Sequence, residues 1–202
     1  MRIQHRIVLV PMFAAALLAP AALHPQTAGS AARKNNALPE IAAGFTYLNS
    51  NAPVDGCGCF GVYGGSLTAA FPIARGPFAI VGDFTSGSST SIAPNNYHLT
   101  LSTYTAGGRY TPAFGASRFH PFAQAMAGIA HASQSLVSGS GASVPNANAA
   151  FAADLGGVVD LDLNRRFRIR LAQADYLLTT FDNGSNDHQN NLRLSSGLVF
   201  RF

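Results

Sequence analysis

The stretch NLRLSSGLVFRF, residues 191–202, decides how the rest of the chain is read. Counting back by twos, Phe202, Phe200, Leu198, Ser196, Leu194 and Leu192 fall on one side, and Arg201, Val199, Gly197, Ser195 and Arg193 on the other. A period of two is the mark of a β-strand with unlike faces. An aromatic at the tip of such a strand, next to an arginine, suits an apolar medium outside and a polar space within. The fraying end of a soluble domain rarely looks like this.

Composition points the same way. Of 202 residues 48% are hydrophobic and only 11% charged, less than half the roughly 25% charge of soluble domains. Disorder pairs low hydrophobicity with high charge and does not fit. The formal net charge is +4, and Arg2 and Arg6 lie in a leader expected to be removed, which leaves +2. That is too little, and too scattered, for a nucleic-acid partner.

The leader is residues 1–32: a basic MRIQHR, an apolar IVLVPMFAAALLAPAAL, then small residues. This is the layout of a cleaved signal peptide, with the cut expected between 21 and 32. Pro11 and Pro20 bracket the apolar run and leave it short of the ~20 residues of a spanning helix. Residues 33–37 form a short linker, and 38–202 the folded body. No later stretch approaches 18 uninterrupted apolar residues, so helical spans are excluded.

Residues 38–202 divide into eight alternating segments. Ile41, Ala43, Phe45 and Tyr47 oppose Ala42, Gly44 and Thr46; Tyr63, Leu67, Ala69 and Phe71 oppose Gly64, Ser66 and Thr68. The third segment, 77–85, sets Phe78, Ile80 and Phe84 against Asp83 and Thr85, and the run SGSSTSIAPNN after it reads as a loop. In the fourth, 97–110, Leu99 and Leu101 share parity with Arg109, which predicts a bulge between them. The fifth, 121–133, alternates Ala123, Ala125, Ala127 and Ile129 with Gln124, Met126 and Gly128; its alanines keep a helix open as an alternative. The sixth, 151–163, alternates Phe151, Ala153, Leu155, Val159 and Leu161 with Asp154, Gly156, Asp160 and Asp162. In the seventh, 167–181, Phe167, Ile169 and Leu171 change parity to Tyr176 and Leu178, which predicts a bulge near Ala172. The eighth is the terminal strand.

Segments of about ten residues fit membrane-crossing strands. Hydrocarbon offers backbone N–H and C=O groups no partner, so strands cross only as a closed ring. The expected fold is all-β: an eight-stranded antiparallel up-and-down transmembrane barrel in a cell outer membrane. Its apolar stripes would face lipid and its small polar stripes a narrow lumen. Aromatics near strand ends (Tyr47, Phe71, Phe78, Tyr97, Tyr110, Phe122, Phe151, Phe167, Phe181, Phe200 and Phe202) are expected as interfacial girdles. A soluble lipocalin-like barrel shows the same alternation with the opposite sense.

RLAQADYLLTTF, a polar loop and then NLRLSSGLVFRF resemble the closing hairpin of the porin-like family related to the outer-membrane protein A barrel domain. The resemblance covers residues 38–202. It implies that Leu194, Leu198, Phe200 and Phe202 form the signal read by the barrel-assembly machinery; Ser196 departs from that pattern. Outer-membrane lipid and this machinery are the implied partners.

Asp83, Arg109, Gln124, Asp154, Asp160, Gln173, Asp175 and Arg193 are expected to point into the lumen and pair, because a lone buried ion is strongly destabilising. A structural plug of ion pairs is the main reading; an ion path or gate is the other. Cys57 and Cys59 lie in the first loop. An exported chain favours their oxidation, but a bridge across one residue is strained, and the choice stays open. No metal is expected, since nothing completes a zinc-like ligand set. No cofactor is expected. His98, His120, His131 and His188 are dispersed, and His131 and Ser133 are read as facing opposite sides of the strand, so no enzyme activity is expected. Gly64-Gly65 and Gly107-Gly108 are read as easing curvature and crowding.

Function then falls to the barrel as a membrane body and to its loops, 133–149 and 182–191 above all, in adhesion or recognition of an unidentified extracellular partner. The alternatives are a narrow low-conductance channel and a lipid-modifying enzyme.

Overall fold

A computed structural model describes residues 38–51, 59–73, 76–92, 97–112, 117–133, 147–181 and 187–202. The expected leader, the linker and Cys57 lie outside the described residues, as does the side chain of Cys59. The strands are β1 (Glu40–Asn51), β2 (Cys59–Pro72), β3 (Phe78–Ile92), β4 (Tyr97–Tyr110), β5 (Phe119–Ser133), β6 (Ala147–Asp162), β7 (Phe167–Thr179) and β8 (Gln189–Arg201). Each pairs antiparallel with the next, and β8 returns to β1 to close the ring. Closure leaves no edge strand with unpaired backbone groups. Both terminal strands open or close at one end, here called the terminal end, with connections 73–77, 111–118 and 163–166. Connections 52–58, 93–96, 134–146 and 180–188 lie at the other, the loop end.

Alternation puts unlike residues on the two sides of the wall. Outward, Leu155 is 62% exposed, Leu198 61% and Phe45 57%; inward, Asp154 is 2% exposed, Asp175 1% and Arg193 1%. That is the reverse of a water-soluble protein. From Tyr63 to Phe71 on β2, and from Phe119 to Ile129 on β5, the outward stripe is bounded by large exposed side chains. At about 3.4 Å per residue and a tilt near 40°, these stripes are roughly 21 and 26 Å tall, matching the ~25 Å apolar band of membrane barrels.

Three expectations are corrected. β4 carries no bulge: it pairs with β5 without a shift from Thr100 to Tyr110. Leu99 and Leu101 face inward with Arg109, because the lumen is apolar at the loop end and charged further down. The polar run after Phe84 is strand as far as Ile92, its only irregularity lying between Ser89 and Ile92. It lacks an apolar signal because Ser86, Ser88 and Thr90 continue the outward stripe beyond the last aromatic pair, Phe84–Tyr104. Phe122 and Phe181 are not girdle residues; both are 6% exposed and point inward. The fifth segment is the strand it was expected to be and not the alternative helix, its alanines forming a small-residue outer face.

The bulge in β7 falls where its parity change predicts. The β7–β8 register jumps between Arg170 and Gln173, and Leu171 and Ala172 both lie outside. Gly64 and Gly107 face the lumen where neighbouring strands approach closely. A Cβ would lie 2.0 Å from Ser86 O at Gly64 and 2.0 Å from Ala125 O at Gly107. Only glycine allows the wall to coil this tightly.

Candidate functional site: a closed, charged lumen

Inward positions of all eight strands converge, and three regions stack along the lumen. Towards the loop end, Leu48, Val62, Leu99, Leu101, Ala130, Ala132, Ala152, Leu177 and Phe181 form a buried apolar cluster. Between this cluster and the charged region lies a gap of about 10 Å³ lined by Thr46, Leu101, Thr103, Leu177 and Arg193, about one water in size.

The middle region is centred on Arg193 from β8. Its Nη1 donates to Asp83 Oδ1 at 2.9 Å and its Nε to Asp175 Oδ2 at 2.9 Å, while Nη2 donates to Asp154 Oδ2. One planar guanidinium thus joins β3, β6, β7 and β8, which the five-donor geometry of arginine permits and a lysine ammonium does not. Thr68 and Thr85 donate to Asp83 at 2.7 and 2.9 Å, and Gln173 Nε2 donates to Asp175 at 2.7 Å. Gln124 Nε2 reaches Asp175 Oδ1 at 3.5 Å. Asp175 has room because its β6 neighbour is Gly156, where a Cβ would lie 1.8 Å from the carboxylate oxygen.

The third region runs to the terminal end. Arg170 donates to Asp160 at 3.1 Å and, through Nη1, to Gln173 at 3.0 Å, which ties it to the middle region. Arg109 pairs with Glu40, which also accepts from Arg168 at 3.4 Å. Arg168 and Arg201 share Asp162 at 2.6 and 3.1 Å, with His120 on its other oxygen at 2.7 Å. The Phe122 ring lies beneath the guanidinium groups of Arg109 and Arg170, 4.0 and 5.6 Å from their carbons. It supplies a cation–π surface where a further carboxylate is lacking.

Every one of the eight residues expected in the lumen is buried there. Five others join them that were not among the residues expected to pair, Glu40, Arg168, Arg170, Asp162 and Arg201, although Asp162 and Arg201 lie on the same stripes as Asp160 and Arg193. Parity alone marks them. Glu40 continues the stripe of Ala42 and Thr46, and Arg168 and Arg170 alternate with Phe167, Ile169 and Leu171. Among the described residues, six carboxylates (40, 83, 154, 160, 162, 175) face five guanidinium groups (109, 168, 170, 193, 201). Such pairing makes burial of the charges tolerable, because removing a partner costs more than the pair contributes.

The other candidates are not drawn together. His98 and His131 are exposed on outward faces. His131 and Ser133 share the outward side rather than opposing each other, as positions two apart in a strand must. His188 hydrogen-bonds Asp187 at 2.9 Å, and this bond holds the Asp187 carboxyl below the usual carboxylate range. Leu194, Leu198 and Phe200 line the outer face of β8 and Phe202 follows its end, with Phe200 meeting Phe167 and Phe202 at 5.2 and 6.1 Å.

No protein-family model matches the sequence, and no curated protein does. Solved structures do. Neisserial surface protein A is similar with a TM-score of 0.61 at 15% identity, over 81% of this chain and 97% of that one. Ail, the attachment invasion locus protein of Yersinia pestis, in complex with the heparin analogue sucrose octasulfate, is similar with a TM-score of 0.50 at 16% identity, over 82% and 99%. At these identities the likeness is one of fold. The chain is an eight-stranded antiparallel β-barrel with the fold of these outer-membrane proteins.

Proposed function

We propose that the exported chain is an outer-membrane protein whose barrel is a closed, structural body and whose interactions with other molecules take place at the loop end. The carrying observation is the inverted wall, with phenylalanines and leucines outside and six carboxylates and five guanidinium groups inside. Lipid satisfies the first set and mutual pairing the second. The lumen is stopped twice, by the apolar cluster around Leu99 and Leu177 and by the ion-paired column below it. A channel would need both to part.

The loop-end connections are rich in Ser, Asn and Gly and contain Asp55, Asp182 and Asp187 without a lysine or arginine. The structure of Ail named above holds a sulfated ligand. Polyanions are bound mainly through arginine and lysine, which these connections do not supply. Recognition here is therefore read as directed at neutral or cationic groups, through hydrogen bonds. The outer stripe of β8, Leu194 to Phe202, is read as the segment offered to the assembly machinery.

Planar-bilayer recording of the purified mature chain tests the closed body: no discrete conductance steps are expected. Steady single-channel currents would favour the channel reading. Lipid A mass profiles of cells with and without the protein are expected to be identical; a new acylation state would favour an enzyme.

A further inference from the structure

Charge in the connections is sorted by end. At the terminal end, connections 73–77, 111–118 and 163–166 contain Arg75, Arg118, Arg165 and Arg166 and no acidic residue. At the loop end the connections contain three aspartates and no lysine or arginine. Lumen ion pairs do not explain this sorting, because Arg118, Arg165 and Arg166 are exposed and join none of the ion pairs of the described residues.

Their backbones are nonetheless fixed. Asp162 N donates to Arg118 O at 2.9 Å, and Arg201 N to Arg166 O at 2.8 Å. Asn164 Oδ1 accepts from the backbone N–H of Arg166 at 2.8 Å and of Phe167 at 2.9 Å. These contacts join two turns into one collar segment carrying three guanidinium groups. The same segment carries large apolar side chains turned outward: Phe119 is 52% exposed, Leu163 49%, Phe167 45% and Phe202 54%. Arg118 directly precedes Phe119, and Arg166 directly precedes Phe167. Where the rings enter the edge of the hydrocarbon, a guanidinium one residue further out snorkels to the depth of lipid phosphates.

We propose that Arg118, Arg165 and Arg166 form a binding collar for anionic phospholipid headgroups in the leaflet at the terminal end. Guanidinium groups bind phosphate through paired N–H donors, and a fixed collar loses little freedom on binding. The aromatic ring alongside favours a bilayer over a soluble acidic protein as the occupant. The inference rests on the barrel lying in a membrane, so its test separates insertion from headgroup preference.

The mature chain is reconstituted into vesicles of phosphatidylcholine containing a minor fraction of phosphatidylglycerol. Lipids retained after mild detergent extraction are then counted by native mass spectrometry. Phosphatidylglycerol is expected at several times its share of the vesicle, falling to that share in R118Q/R165Q/R166Q and largely kept in the matching lysine variant. High salt should reduce the enrichment, since exposed charges are screened. Retention at the vesicle ratio by the wild-type chain, or unchanged enrichment in the glutamine variant, would overturn the collar. Insertion is read separately in phosphatidylcholine alone, by heat-modifiable migration on a gel; failure there would strike the membrane reading instead. If the triple variant does not insert, each single glutamine variant should show partial loss, and no loss in any of them overturns the proposal.

Discussion

Arg193 shows how much of the lumen depends on one side chain. Its guanidinium is 1% exposed and is shared by Asp83, Asp154 and Asp175. Arg193→Met fills much the same space and leaves three carboxylates without their common cation. Breaking a buried ion pair from one side costs about 3–5 kcal/mol, so the urea midpoint of the barrel in detergent micelles should fall by a corresponding amount. Adding Asp83→Asn, Asp154→Asn and Asp175→Asn to Arg193→Met should recover most of the loss, because the penalty lies in unpaired charge. Equal stability of Arg193→Met and wild type would remove the network from the energetics. Parity in the sequence marked Arg193 and its three partners as inward. It did not show that the four meet, because β3 and β8 are not neighbours and contact across a lumen leaves no trace in local spacing. Phe122 was misplaced for a related reason: an aromatic near a strand end looks alike whether it faces lipid or two arginines.

At the scale of the strand, β7 carries a bulge that absorbs one surplus residue and keeps both halves of its charged stripe inward. Phe167, Ile169 and Leu171 face out before the bulge, and Ala174, Tyr176 and the exposed Ala172 after it. The extra residue lets Arg170 and Gln173 both face inward, three positions apart, and hydrogen-bond at 3.0 Å. Deleting Ala172 removes the extra residue and leaves strict alternation, with Arg168, Arg170, Gln173 and Asp175 all still inward and the registers to β6 and β8 continuous. The deletion variant should therefore keep the compact, heat-modifiable form on a gel. Deleting Ala153 from β6, which pairs with β5 without a shift, should lose it, since a one-residue slip moves a whole stripe to the other face. Loss of the compact form on deleting Ala172 would contradict the reading of the bulge as one surplus residue. This bulge was legible because apolar residues flank it on both sides. The length of β3 was not, since serine and threonine beyond the apolar band look the same in a strand and in a loop.

For the whole molecule the central claim is one of orientation, with the greasy stripes out and the ionised ones in. A soluble barrel of identical topology would turn both around, and alternation alone does not distinguish the two. Burial does, with Leu155 and Leu198 open and Asp154 and Arg193 enclosed. The decisive measurement is spin-label accessibility on the chain reconstituted in vesicles. Single cysteines are placed at Phe45, Leu155 and Leu198 outside and at Thr103 inside, with Cys57 and Cys59 replaced by serine. The outer positions should collide strongly with dissolved oxygen and weakly with a water-soluble nickel chelate, and Thr103 weakly with both. Labels at Leu155 and Leu198 that meet the nickel chelate freely would contradict the orientation and the membrane barrel with it.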